Sequence, residues 1–209
     1  NRPVSCTDFQ NKYGKYDAIF IKENTKNIYL TFDEGYENGY TAKILDVLKA
    51  KTVPAVFFVT YDYVKRNPEL VRRMLEEGHV VGNHSYTHPS MPTISLSKAS
   101  GEITALHDYV RENFNCTMTL FRPPMGEFSE RTLALAQSLG YKSVFWSFAY
   151  VDWDTSKQMG FDNAYAKVAG GLHNGAVYLL HAVSKDNAEI LASFIDKAVE
   201  EGYEFSTLS

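Results

Sequence analysis

Two adjacent carboxylates, two histidines four residues apart, and a separate arginine, aspartate and histidine are the residues of this chain whose types suit hydrolytic chemistry. Asp33-Glu34-Gly35 follows the β-branched and aromatic run Ile28-Tyr29-Leu30-Thr31-Phe32, and His84-Ser85-Tyr86-Thr87-His88 runs into Pro89. Arg122 opens Pro123-Pro124-Met125-Gly126, Asp152 precedes Trp153, and His181 follows Leu179-Leu180. A carboxylate accepts a proton from water, an imidazole returns one, and two imidazoles with an acid hold a divalent cation that keeps one position open. Each segment alone also has a plain reading: an Asx-type turn facing water, two surface histidines, a solvated arginine in a proline-rich loop, a core histidine. Strand side chains alternate, so Asp33 and Glu34 share one site only if the strand stops at Asp33 and the backbone turns there. Gly35 permits such a turn. The spacing of His84 and His88 predicts one helical turn, ended by Pro89, that points both rings at one place.

The elements that must position these residues alternate along the chain. Strands are expected at 28–33, 55–59, 80–81, 118–121, 143–148 and 176–180, with a further short one at 203–205. Helices are expected at 40–51, from the cap Asn67 and Pro68 to Gly78, at 95–113 behind Ser95 or Ser97, from Ser129 to Leu139, at 162–172 and at 186–201. About seven such alternations with short connections predict a parallel α/β fold, either a barrel or a doubly wound sheet. No G-x-G-x-x-G follows the first strand, which disfavours a dinucleotide site. Asp33, His84, Arg122, Asp152 and His181 all fall at or just beyond strand C-termini, and in a parallel barrel those ends form the catalytic face. Residues 1–27 read as a polar, irregular segment, with Tyr13, Tyr16 and Phe20 anchoring it against the barrel.

The 209 residues, 44% hydrophobic and 22% charged, bound the chain to a single globular domain with a substantial core. A net charge of −4 with lysines and arginines scattered singly or in pairs excludes a phosphate-binding face, so no nucleic-acid partner is expected. The longest apolar runs, 53–59 and 176–180, fall well short of the ~20 residues of a membrane span, and Asn1 begins no signal-peptide pattern. A monomer is expected. Cys6 and Cys116 leave a single bridge and two inert thiols equally open.

Together the segments resemble the polysaccharide deacetylase family, the fourth carbohydrate esterase family, over nearly all of residues 28–206. Thr31-Phe32-Asp33-Glu34-Gly35 is similar to its first motif, His84 to His88 to its second, Arg122 to Gly126 to its third, Asp152-Trp153 to its fourth and Leu179 to His181 to its fifth. The resemblance implies a deformed (β/α) barrel of about seven parallel strands, with 28–209 as the catalytic domain and metal-assisted removal of acetyl groups from N-acetylated sugars. It implies Asp33 as general base, His181 as general acid, Arg122 and Asp152 as their respective partners, and Glu34, His84 and His88 as ligands of a divalent metal, zinc being favoured. It implies a backbone N–H of Met125 at the oxyanion, Trp153 and Leu179 around the acetyl group, and Tyr86 on the substrate. Three positions depart from the family pattern: Glu34 stands where Asp is usual, Met125 where an aromatic is common, and Ala149 where an acid is often found.

Tyr36-Glu37-Asn38-Gly39-Tyr40-Thr41 is similar to the subgroup called delta-lactam-biosynthetic de-N-acetylases, which act on muramic acid in peptidoglycan. That similarity implies N-acetylmuramic acid in peptidoglycan glycan strands as substrate, and an extracytoplasmic place at the cell wall or spore cortex. Arg122 is the one cation that the strand-end pattern offers to a muramic lactyl carboxylate. N-Acetylglucosamine in peptidoglycan or a chitin-like glycan is the alternative substrate. A glycoside hydrolase is the enzymatic rival, but it needs a second acid as well placed as Asp33. A non-catalytic wall-binding relative is the other rival, supported by the altered Glu34 and opposed by Asp33, the histidine pair, Arg122 and His181.

Overall fold

The computed structural model describes residues 3–22 and 25–208. The strand that carries Asp33 is β2 (Asn27–Glu34), every residue of which from Ile28 onward is buried. The alternation within β2 separates two cores: Ile28, Leu30 and Phe32 join the cluster shared with the helices, whereas Tyr29 joins the second cluster with Phe58, Leu120, Val144 and Val177. Asp33 continues the face of Tyr29 and Thr31, inside the barrel, and Glu34 the face of Phe32, toward the helices.

All strand pairings are parallel. With β1 (Ala18–Ile19), β3 (Val56–Val59), β4 (Val80–Asn83), β5 (Leu120–Phe121), β6 (Lys142–Val144), β7 (Val177–His181) and β8 (Glu204–Phe205), the order is β1-β6-β5-β4-β3-β2-β7, and β8 pairs with β2. Closure into a barrel is irregular. Just beyond β6 the chain crosses to β7, where Ser147 N–H donates to Val177 O (2.9 Å) and Leu179 N–H to Phe148 O (2.9 Å). Lower down, Lys22 N–H beyond β1 donates to Gly175 O (3.0 Å), so the N-terminal strand fills the gap between β6 and β7.

The helices that cover the outside are α1 (Val4–Tyr13), α2 (Thr41–Lys51), α3 (Tyr61–Arg66), α4 (Pro68–Glu76), α5 (Leu96–Phe114), α6 (Glu130–Ser138), α7 (Phe161–Ala169) and α8 (Lys185–Glu200). Ser95 caps α5 by accepting from Lys98 N–H, and Ser129 with Thr132 forms a reciprocal capping box on α6.

Several expectations are corrected here. The N-terminal segment is not irregular: it contains α1 and β1, while residues 1–2 and 23–24 of it lie outside the described residues. Its aromatic residues do anchor it, Phe20 stacking on Phe145 at 4.3 Å with Tyr13 and Tyr16 packed beside them. Residues 84–88 form no helical turn. The strand expected at 143–148 is interrupted after Val144, because the chain leaves β5 there to reach β7. β2 extends one residue further than expected, Glu34 pairing with Val59. Cys6 and Cys116 are both free.

Gly82 shows how tightly the barrel is filled. It lies opposite Phe58, and a Cβ there would sit 2.6 Å from two carbons of that ring. Phe58 in turn lies 4.3 Å from the guanidinium of Arg122. Gly82→Ala should therefore destabilise the protein by about 1–3 kcal/mol, the usual cost of overpacking. Urea unfolding checks this, and a midpoint equal to that of the unsubstituted protein would contradict the packing.

Candidate active site

Arg122 is fully buried inside the barrel. Its Nε donates to Val144 O (3.0 Å), its Nη1 to Thr31 Oγ1 (2.7 Å) and Asp33 Oδ1 (2.8 Å), and its Nη2 to Phe145 O (3.0 Å). A guanidinium taken out of water is tolerated when its donors and its charge are both met, and Asp33 meets the charge. Burial lowers the Arg122 pKa and Asp33 pulls it back in part, leaving it below its ordinary value. For Asp33, burial raises the carboxyl pKa, but Arg122 and then His84 and His181 outweigh it, so the group is held below its ordinary value. The result is a buried carboxylate with one oxygen tied to Arg122.

The other oxygen, Oδ2, lies 3.5 Å from His84 Nε2. His84 Nδ1 donates to the carbonyl of Arg122 at 2.8 Å, a tautomer assigned from that contact, which leaves the Nε2 lone pair toward the pocket. Burial, only partly offset by Asp33, pushes the His84 pKa down to about 4. His88 Nε2 lies 3.2 Å from His84 Nε2. The rings meet through backbone turns rather than helical spacing: Ser85 and His88 take φ of 68° and 61°, Ser85 N–H donates to Asn83 Oδ1, and His88 N–H to Ser85 Oγ. Glu102 of α5 grips the middle of this loop, accepting from both the N–H and the hydroxyl of Thr87 at 2.7 Å.

His181 sits beside Asp33 in the β2–β7 register. Its Nδ1 donates to Asp152 Oδ1 at 2.7 Å, while Asp152 Oδ2 accepts from His181 N–H (2.8 Å) and from Asn187 Nδ2 (2.6 Å). Asp152 is only 1% exposed. Burial lowers the His181 pKa, but the hydrogen bond and charge of Asp152 outweigh it and hold the imidazole above its ordinary value.

Asp33, His84, His88 and His181 line a pocket of ≈ 590 Å³, with Met125, Trp153 and Leu179 in its walls. Met125 occupies a left-handed turn (φ 59°), and Gly126 follows at φ 68°, where a Cβ would lie 2.5 Å from the Trp146 ring. Only glycine lets that turn seat against the indole.

Tyr86 and Glu34 fall elsewhere than expected, and Arg122 meets its expected partner Asp33 but not a lactyl carboxylate. Tyr86 lines a neighbouring hollow with Thr60, Asp62 and Thr87, stacked on Tyr61 at 4.1 Å, and Gly35 and His88 line both that hollow and the pocket. Arg122 has its donors committed inside the barrel and is not available to a lactyl carboxylate. Glu34 is fully buried on the helix side of β2, its Oε2 accepting from Thr41 Oγ1 (3.5 Å) and its Oε1 without a hydrogen-bond partner. Sequence reasoning missed Thr31, Glu102 and Asn187. Thr31 could have been found, since it lies two residues before Asp33 on the same strand face.

Residues 21–144 match the model of a family described as polysaccharide deacetylase. The chain belongs to the polysaccharide deacetylase family. It is 45% identical over 196 residues to the peptidoglycan-N-acetylmuramic acid deacetylase PdaA of Bacillus subtilis, covering 93% of this chain and 74% of that protein. It is 35% identical over 186 residues to the peptidoglycan-N-acetylglucosamine deacetylase PgdA of Listeria monocytogenes, covering 89% of this chain and 39% of that one. The solved structure of Bacillus subtilis PdaA, a family 4 carbohydrate esterase, superposes with a TM-score of 0.94 at 42% identity, covering 99% of this chain and 89% of that one.

Metal dependence is general in the polysaccharide deacetylase family. The ligand set implied by the motifs is not assembled in this deacetylase: among the described residues no group of three or more His, Cys, Asp or Glu is arranged to hold a metal ion. Two imidazoles converge, but Glu34 points to the far side of β2 and engages Thr41 instead. Strand alternation is the cause, since β2 does not stop at Asp33.

The Asp152 contact generates a test. Asp152→Asn keeps the shape and removes the charge that raises the His181 pKa, so the midpoint of that imidazole should move to lower pH. Proton NMR titration of the histidine ring signals reads this directly, and an unmoved His181 midpoint would refute the pairing.

Proposed function

We propose that this chain is a peptidoglycan N-deacetylase whose reacting sugar is N-acetylmuramic acid. The observation that carries the activity is that Asp33 and His181, neighbours on adjacent strands, line one pocket, their partners pushing the carboxyl toward its anion and the imidazole toward its cation. Amide hydrolysis needs both. Asp33 accepts a proton as water attacks the acetyl carbonyl, a backbone N–H of Met125 meets the tetrahedral oxygen, and His181 delivers a proton to the departing amine nitrogen. Asp152 holds the other ring nitrogen of His181 throughout. Trp153 and Leu179 pack around the acetyl methyl.

The choice of sugar is supported by the likeness to PdaA, which spans nearly the whole chain at higher identity than the likeness to PgdA. Among the described residues lining the pocket, histidines are the only side chains able to carry positive charge. A lactyl carboxylate therefore meets imidazole or backbone N–H rather than a guanidinium. The product amine and that carboxylate are placed on one sugar, where they can close to the muramic δ-lactam of spore cortex. The site of action is extracytoplasmic, at the wall polymer; among the described residues no helix is long and apolar enough to cross a membrane.

Mass spectrometry of products from peptidoglycan stripped of its peptides, run beside chitin oligomers, tests the substrate. Acetyl loss from muramic residues with chitin oligomers poorly used is the expected result. Loss from glucosamine residues alone would overturn the sugar assignment and leave deacetylation standing.

Asp33→Asn should lower acetate release by about 10²–10⁴-fold, the usual cost of a lost general base. It should also lower the melting temperature, because the buried Arg122 charge loses its partner at a cost of about 3–5 kcal/mol. Rates are therefore compared on the folded fraction measured by circular dichroism, and turnover within a few-fold of the unsubstituted protein would remove Asp33 from the mechanism.

A further inference from the structure

Glu34 occupies the motif position of a metal ligand and lies on the wrong face of its strand to be one. Its Oε2 belongs to a set of polar contacts behind the reaction site, while its Oε1 has no hydrogen-bond partner. Thr41 Oγ1, at the start of α2, donates to Glu34 Oε2 (3.5 Å); Tyr63 Oη of α3 lies 3.4 Å from both Thr41 Oγ1 and Glu37 Oε2; and Glu37 Oε1 accepts from the N–H groups of Gly39 and Thr41. Thr60 holds the backbone at the same place, its N–H and hydroxyl reaching the carbonyl of Glu34. The far end of the loop is pinned by Asn38, which donates to Val183 O (2.9 Å) beside the pocket. Residues 35–40 are thus held from both sides, and Gly35 and Tyr36 from this loop line the pocket.

We propose that Glu34 is a positioning residue, not a metal ligand: from the helix side of β2 its carboxyl, with Thr41, Tyr63 and Glu37, sets the path of the 35–40 loop and so the placement of Asp33 and Tyr36 at the pocket. The strand register makes the two roles exclusive. With Glu34 paired to Val59 and buried, its carboxyl reaches Thr41 and does not face the His84–His88 pair. Its side-chain length is what the contact with Thr41 requires; a shorter acid on that face ends before the hydroxyl.

The test uses the full chain, stripped of metal with chelator, in four substituted forms: Glu34→Gln, Glu34→Ala, Tyr63→Phe and His84→Ala. Glutamine keeps the size of Glu34 and an oxygen for the Thr41 hydroxyl, but it is a far weaker ligand. Calorimetric titration with Zn²⁺ should give Glu34→Gln an affinity within about threefold of the unsubstituted protein, whereas His84→Ala should lose about 10–100-fold. Absence of any Zn²⁺ binding by the unsubstituted protein also places Glu34 outside a metal shell. A Glu34→Gln loss as large as that of His84→Ala would overturn the proposal.

Positioning is read separately. Amide NMR signals of Gly35 to Gly39 should shift in Glu34→Ala and return in Glu34→Gln; unshifted signals in Glu34→Ala would also overturn it. On stripped peptidoglycan, Glu34→Ala should lower kcat by roughly 10–100-fold at little change in KM, with recovery in Glu34→Gln. Should Glu34→Ala not fold, Tyr63→Phe, which removes one hydroxyl from the same set, carries both readouts: the loop signals shift and kcat falls with Zn²⁺ affinity kept, and unmoved signals count against the proposal. The kcat arm rests on the deacetylase reading. If the unsubstituted protein releases no acetate from any glycan, that reading fails, while the titration and the loop signals still decide the role of Glu34.

Discussion

The ion pair between Arg122 and Asp33, set inside the barrel rather than at its mouth, is the interaction on which the rest of the site depends. A guanidinium in that position has to find an anion and acceptors for its remaining donors, and it finds them on β2, at Thr31 and Asp33, and at the end of β6, at the carbonyls of Val144 and Phe145. Those contacts fix the height of β2 relative to β6. They also supply the carbonyl, that of Arg122 itself, which orients His84. One buried charge thereby sets both a carboxylate and an imidazole, and it leans on the Phe58 ring that Gly82 makes room for. Such a pair is a poor source of stability but a strong source of specificity, because half-satisfied alternatives are so costly.

The second pair works in the opposite sense. Asp152 holds the His181 pKa above its ordinary value where burial alone would lower it, while His84, 3.5 Å from Asp33, has its pKa pushed down to about 4 by burial. Two imidazoles in one pocket thus have pKa values shifted in opposite directions for a reason visible in their partners: a carboxylate on one Nδ1, a carbonyl on the other. The chemistry assigned to them follows from that difference more than from their positions.

Much of this architecture was legible in the sequence. Alternating apolar runs and capped helices identified the parallel fold, and the placing of Asp33, His84, Arg122, Asp152 and His181 after strands pointed to one face. What was not legible depends on contacts between distant segments. The end of β2 is decided by pairing of Glu34 with Val59, not by Gly35, so the side-chain alternation runs on and Glu34 faces the helices. The histidine loop takes its shape from Asn83 and Glu102, and no local pattern marks Glu102 as its clamp. Arg122 reads as a loop arginine from its proline-rich surroundings, and its burial comes from the acceptors on β2 and around β6. The N-terminal helix carries no buried residue, so its sequence has no apolar stripe to announce it.

The irregular closure of the barrel bears on how the protein comes to exist. β1 near the start of the chain fills the gap beside β7 near its end, and Asp33 and His181 are register neighbours contributed by opposite ends of the polypeptide. Contacts so distant along the chain form late and slow folding. No growing or truncated chain that lacks β7 holds both the carboxylate and the imidazole. The acid–base pair is complete only once β7 docks beside β2.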